Sequence, residues 1–193
     1  MRTVNPLLRA RRRTELLDAA AACFAERGFA QTRTADVSAR AGMSSGNLFH
    51  YFPTKQALLL ALLDREAREV SAVPVPTTAH RARETLADLL REICRLADDP
   101  VHRGLAMEVA AVALRDQEVA ERYRRNDEVL RSTLGSLAQA GGSRVPAPQA
   151  ATWLAALTDG VFTRAAVQDD FAATDEFARL WEITTDLLGW SGS

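Results

Sequence analysis

A chain of 193 residues with 47% hydrophobic content can bury one sizeable core or two small ones without covalent staples, and its start, MRTVNPLLRARRR, lacks the apolar run of a signal peptide. No segment approaches the roughly 18 apolar residues of a membrane span, and Cys23 and Cys94 stand apart within apolar helical patterns, which excludes a disulfide framework or CxxC-type zinc site, so a soluble cytoplasmic protein is expected. The net charge of −1 hides an uneven division: nine Lys and Arg face four acids through residue 55, a balance of +5, and the remainder carries −6. A basic head on an acidic body fits a polyanion partner for the head, with a merely solvated Arg-rich terminus as the plainer reading.

Between Arg12 and Arg27 the apolar residues Leu16, Leu17, Ala20, Cys23 and Phe24 recur at helical spacing, and Gly28 is placed for a left-handed cap. Residues 1–10 before this first helix read as a basic flexible arm. Thr32 or Thr34 is placed to cap a short second helix with Asp36 in its first turn, Val37 and Ala41 facing inward, and Gly42 as its end. Ser44 reads as the N-cap of a third helix that Pro53 stops, and Thr54 as the cap of a fourth whose stripe (Ala57, Leu58, Ala61, Leu62, Arg65) fades near Ser71. The proline-marked VPVPTT, residues 73–78, is the best internal boundary. Leu86, Leu89, Leu90, Ile93 and Leu96 then mark an amphipathic helix broken at Asp98, Asp99 and Pro100. Helices over 101–114 and 117–140 follow, and beyond the loop AGGSRVPAP, residues 149–167 and 174–188 make a final apolar pair. Neither strand-like alternation nor an internal repeat competes, so the expected fold is all-α with about nine helices.

Catalytic chemistry finds little support. His50, His80 and His102 are scattered over different segments, without an HExxH, GxSxG or GxxxxGK[ST] pattern. Cys23 and Cys94 lie on apolar stripes and read as core, and Asp169 and Asp170, adjacent in sequence, point about 100° apart on a helix. No enzymatic activity, metal or cofactor is expected. The second and third helices instead have helix-turn-helix proportions over residues 33–52, in which the later helix enters the major groove of DNA. Its tip must then be small or polar, and Ser44, Ser45, Gly46 and Asn47 all qualify. Leu48 and Phe52, four apart, face inward. Phe49, His50 and Tyr51 project around the outer face, where a His50 nitrogen and the Tyr51 hydroxyl can donate to phosphates and Phe49 can pack on sugar or a thymine methyl. Lys55, opening the next helix, can offer its amide and ammonium to a phosphate.

From about Arg11 to Ser71 the sequence resembles the N-terminal domain of the TetR (AcrR-like) family of bacterial transcriptional repressors, through LLDAAAACFAERGF, TRTADVSARAGMS and SSGNLFHYFPTKQALLLAL. The resemblance implies that Ser44, Ser45, Gly46, Asn47, Phe49, His50 and Tyr51 form the recognition surface. Thr34 and Lys55 match phosphate-contacting positions, and Arg9, Arg11, Arg12, Arg13 and Arg33 are candidates for further contacts to the DNA backbone. Three residues depart from the family pattern: Phe49 stands where tyrosine is usual, Ser45 where some members carry a longer reader, and Ala35 offers no base-reading group. Shape readout and the Arg9–Arg13 arginines are then expected to carry more of the affinity.

The family organisation further implies a helix-turn-helix domain over residues 11–71 and an effector-binding, dimerising body over 72–193. The last two helices, with small residues at Ala155, Ala156, Gly160 and Ala165, would pair across a homodimer that presents two heads to double-stranded palindromic operator DNA. The middle helices would enclose a small, mainly apolar effector, lined from Cys94, Leu105, Met107, Tyr123, Trp153 and Phe162, with His102, Glu108 or Asp159 as polar anchors. Effector binding would tilt the fourth helix, which carries Lys55, and release the operator. An activator of the same fold, or a helical ligand-binding protein or enzyme without DNA binding, are the alternative functions.

Overall fold

The alanine- and leucine-rich first helix reaches further toward the N-terminus than its apolar stripe suggests. The computed structural model describes residues 6–190, and its first helix, α1, spans Pro6–Arg27, with a proline at the start where its missing N–H is least missed. Residues 6–10 of the expected flexible arm are therefore helical, and residues 1–5 lie outside the described residues. Arg11 and Arg12 both reach Glu15, at i+4 and i+3, in the turn that follows. α2 (Thr34–Arg40), α3 (Ser45–Tyr51) and α4 (Lys55–Ser71) follow. Ser44 and Thr54 cap α3 and α4 as expected, accepting from the amides of Asn47 and Ala57. Neither threonine caps α2. The Thr32 hydroxyl donates to the Cys23 and Gly28 carbonyls, Thr34 is already helical, and the Arg33 amide donates to Asp36 Oδ2.

The body comprises α5 (Ala79–Asp98), α6 (Pro100–Ala113), α7 (Gln117–Ala140), α8 (Ala147–Val167) and α9 (Phe177–Leu187), which makes nine helices and no strand among the described residues. Asp99 caps α6 through the amides of Val101 and His102, directly ahead of Pro100. α9 begins three residues later than its apolar pattern suggests. The Asp98 carboxylate accepts from the Ala173 amide and from both the amide and hydroxyl of Thr174, so this turn is tied to the end of α5 instead of joining the helix. The same bonds hold the Asp98 carboxyl below its ordinary range against the opposing effect of burial, the largest single influence on it.

Two apolar clusters result. One joins Leu16, Leu17, Phe24, Val37, Leu48 and Phe52 of the head to the Leu58–Leu63 segment of α4, and it also takes in Val109 of α6 and Val119 of α7. The other is built from α5, α7, α8 and α9, and includes Cys94, which is fully buried. Gly104 brings α6 hard against α1. A Cβ there would stand 3.0 Å from the Ala25 Cβ and 3.2 Å from its backbone, so only glycine fits without moving a helix.

Candidate nucleic-acid interface

The turn between α2 and α3 is set by Gly42, at φ +64°, and by the Met43 amide, which donates to the Ser38 carbonyl at 2.8 Å. α3 is then held from below by a single fully buried side chain, Leu48, with Phe52 just past its end. The Arg13 guanidinium lies over the Phe52 ring, 5.2 Å from its centre, and fastens the end of α3 to α1. With the anchor inward, Ser44, Ser45, Gly46, Asn47, Phe49 and His50 are all exposed. A Cβ on Gly46 would meet nothing within 4 Å, so the bare backbone at this spot is not required by the packing of the chain itself. Tyr51 is different: it is half-buried, packs against the first cluster and sets the edge of its ring against His50.

The cations around α3 divide. Arg9 and Arg33 are exposed, and Arg11 and Arg12 share Glu15, which leaves less of their charge for a polyanion. Thr34 occupies the first helical position of α2 and is partly exposed. Lys55, expected to meet a phosphate, is engaged within the head. Its Nζ donates to the carbonyls of Phe29 (2.5 Å), Ala30 (3.2 Å) and Thr32 (3.0 Å) and lies 4.4 Å from the centre of the Phe29 ring. Partial burial lowers its pKa from the usual lysine value. Glu108 is engaged in the same place. Expected as an effector anchor, it accepts from the Phe29 amide at 2.6 Å, so the α1–α2 connection is gripped from α4 on its carbonyls and from α6 on its amide.

The other expected effector contacts sit in different surroundings. Cys94 is sealed in the second cluster, Leu105 packs against the first, and Phe162 lies along the second. His102 turns its Nδ1 to Asp99 at 2.9 Å, Trp153 is 54% exposed on α8, and Met107 is half-buried on α6. Tyr123 and Asp159 are close enough for the carboxylate to act on the phenol. Burial raises both of their pKa values, and the nearby carboxylate of Asp127 raises each further. Glu66, which sequence reasoning missed, acts on the same tyrosine; its carboxyl is raised first by burial and then by Glu69, against the opposing influence of His102 and Arg65. Glu66 and Asp159 are both exposed at the surface of the molecule. Among the described residues no cluster of His, Cys, Asp and Glu has a metal-holding arrangement, and no helix is long and apolar enough to cross a membrane.

Comparison with known proteins places this geometry. Residues 16–62 match the family described as bacterial regulatory proteins, tetR family, and residues 82–188 match the BetI-type transcriptional repressor C-terminal family. The HTH-type transcriptional regulator BetI of Burkholderia ambifaria is 31% identical over 184 residues, covering 92% of this chain and 93% of its own. Among solved structures, Salmonella enterica GusR superposes with a TM-score of 0.75 at 26% identity over 98% of this chain and 100% of its own. A transcriptional regulator from Saccharomonospora viridis, solved in complex with choline, superposes with a TM-score of 0.72 at 19% identity over 92% of this chain and 96% of its own. With one family spanning the helix-turn-helix head and its α4 anchor and another spanning most of the body, the chain belongs to the TetR family of bacterial transcriptional regulators, proteins that bind operator DNA and small-molecule effectors.

Proposed function

We propose that this DNA-binding regulator is a cytoplasmic homodimeric repressor that lays α3 in the major groove of a palindromic operator and leaves it when a small organic cation enters the body. The observation that carries the groove reading is the exposed Ser44–Asn47 tip, on a helix whose one buried residue is Leu48, bare at Gly46 for no internal reason. Ser44, Ser45, Gly46, Asn47 and His50 face the groove, Phe49 packs on sugar or a thymine methyl, and Thr34, Arg9 and Arg33 meet phosphates. Tyr51 touches the DNA only at its rim, because part of its ring is committed to the core.

Support for the dimer comes from the outer face of α8, where Trp153, Ala156, Gly160 and Val167 are exposed in one stripe, and from exposed Ile183 on α9. A Cβ on Gly160 would meet nothing within 4 Å, so that stripe is open to a second helix. The cationic effector revises the mainly apolar one expected from composition. The carboxylates of Asp159 and Glu66 act on the Tyr123 phenol together with Asp127, whose own charge is shared with Arg131, and such surroundings suit a cation held against an aromatic ring better than an anion. The choline bound by the Saccharomonospora viridis regulator is of that class.

A tilt of α4 by itself is disfavoured. Gln56 donates to Glu118 and Asp116, Asp64 pairs with Arg122, and Asn126 donates to the Leu63 carbonyl, so α4 and α7 are joined along their length. Motion reaches the head as a shift of α4 and α7 together against α6, felt where Lys55 and Glu108 hold the α1–α2 connection. The test is footprinting of DNA upstream of the protein's own coding sequence, repeated with choline and with a neutral alcohol of similar size. The expected result is a protected palindrome that choline exposes and the alcohol does not. Absence of a footprint would sink the operator reading, and equal release by both compounds would sink the cationic one.

A further inference from the structure

The two serines at the tip of α3 differ in what they can offer DNA, because their protons are committed differently. Ser38 of α2 lies beneath them, only 2% exposed, with its Oγ 3.0 Å from the Ala35 carbonyl oxygen and 3.2 Å from Ser45 Oγ. A serine hydroxyl carries one hydrogen and a carbonyl only accepts. The bond to Ala35 therefore takes the Ser38 proton, and the contact between the two hydroxyls is made only if Ser45 donates. Burial of Ser38 keeps out the water that would offer it another partner. Ser44 is the reverse: its Oγ accepts from the Asn47 amide, and its own proton remains available outward.

We infer that Ser45 presents lone pairs but no donor to the groove and is a specificity-determining residue that selects, on the strand it faces, an amino base over a keto base. In the major groove adenine N6 and cytosine N4 are donors, whereas guanine O6 and thymine O4, at the corresponding positions, are acceptors that an acceptor-only hydroxyl repels; N7 is an acceptor on both purines and does not separate them. Ser44, with its proton free, suits a phosphate or a keto oxygen. This rests on the reading that α3 occupies the major groove.

Selection from a randomised duplex library tests it, using the wild-type protein with the Ser45→Ala, Ser38→Ala and Ser38→Cys variants, each checked for folding by thermal melting. The wild type is expected to enrich A or C over G or T by roughly tenfold at one position of each half-site, in the range of a single unfavourable base pair. Ser45→Ala flattens that position and leaves the others. Ser38→Ala frees the Ser45 proton and admits G and T there; Ser38→Cys fills the same space with a weak acceptor and does likewise should the alanine variant fail to fold. The inference is overturned if the position sensitive to Ser45→Ala carries G or T in the wild type, if no position responds to it, or if a folded Ser38 variant keeps the amino preference. Failure of the wild type to enrich any duplex would instead overturn the groove reading, and the inference with it.

Discussion

The tip of α3 and the connection from Gly28 to Thr32 lie on one small head, and the chain treats their polar groups in opposite ways. At the tip, short exposed side chains stand on a helix whose one buried residue is Leu48, with Ser45 spending its proton inward and Ser44 keeping its own for the outside. At the connection, backbone groups left over where α1 ends are met by long charged side chains arriving from α4 and α6. Thr32 satisfies the carbonyls of Cys23 and Gly28 from within the connection, and Lys55 and Glu108 reach the groups that lie further out. Charge alone therefore misleads about which residues face a ligand.

The largest effect that separates the two regions is expected at Lys55, the chain's one lysine. Lys55→Met keeps the stem near the Phe29 ring but leaves three carbonyls without their cation, a loss of about 3 kcal/mol in urea unfolding. Operator affinity should fall through the loosened head, while the slope of log affinity against log salt stays as in the wild type. A slope smaller by about one would instead put the ammonium on a phosphate. Next in size is Glu108→Ala, which removes a charge-assisted acceptor from the Phe29 amide and should cost about 2 kcal/mol. Glu108→Gln, which keeps an acceptor oxygen, should cost less. Equal melting temperatures for the two variants would show that the hydrogen bond contributes nothing.

These residues also mark the limit of what the sequence discloses. The helices were legible because apolar spacing and local caps are written within a few residues: Ser44 and Thr54 cap where expected, and Pro53 follows the end of α3. The outward-facing tip was legible for the same reason, since inward Leu48 fixes by helical geometry what is exposed. The Lys55 and Glu108 contacts cross 26 and 79 residues of chain. Nothing local distinguishes a lysine that meets phosphate from one that meets carbonyls, although the polar groups stranded at the Gly28 turn required partners from somewhere. The body suffers most from this limit. Cys94 and Leu105 are apolar enough for a pocket or a core, and only their packing puts them in the clusters.

On the tip, the comparison sharpens at Gly46. Because a Cβ there meets nothing within 4 Å, Gly46→Ala should raise the stability of the free protein by up to about 1 kcal/mol through helix propensity. The same methyl should weaken operator binding roughly tenfold, as expected where backbone lies close to a base. Stability and DNA binding would thus move in opposite directions, unlike at Lys55 and Glu108, where both fall. Unchanged binding would mean that the helix does not approach DNA at this residue.

The smallest effect concerns the carboxylates around Tyr123. Burial raises the Asp159 and Glu66 carboxyls, so between the ordinary carboxylate range and their raised values the native state holds more protons than the unfolded chain. Stability of the free protein should therefore decline as pH rises through that window, for the part these two groups supply. A bound cation reverses the preference, because it favours their ionised forms and its own binding tightens as they lose protons. The added attraction is on the order of 1 kcal/mol for partly solvated charges, or roughly fivefold in affinity. Choline should then raise the melting temperature more at pH 7 than at pH 5, and Asp159→Asn should reduce that difference while leaving the unfolding of Lys55→Met and Glu108→Ala unaffected. A choline response independent of pH would detach the carboxylates from the effector site, and α3 would remain the one region of the molecule whose exposed polar groups have an assigned use.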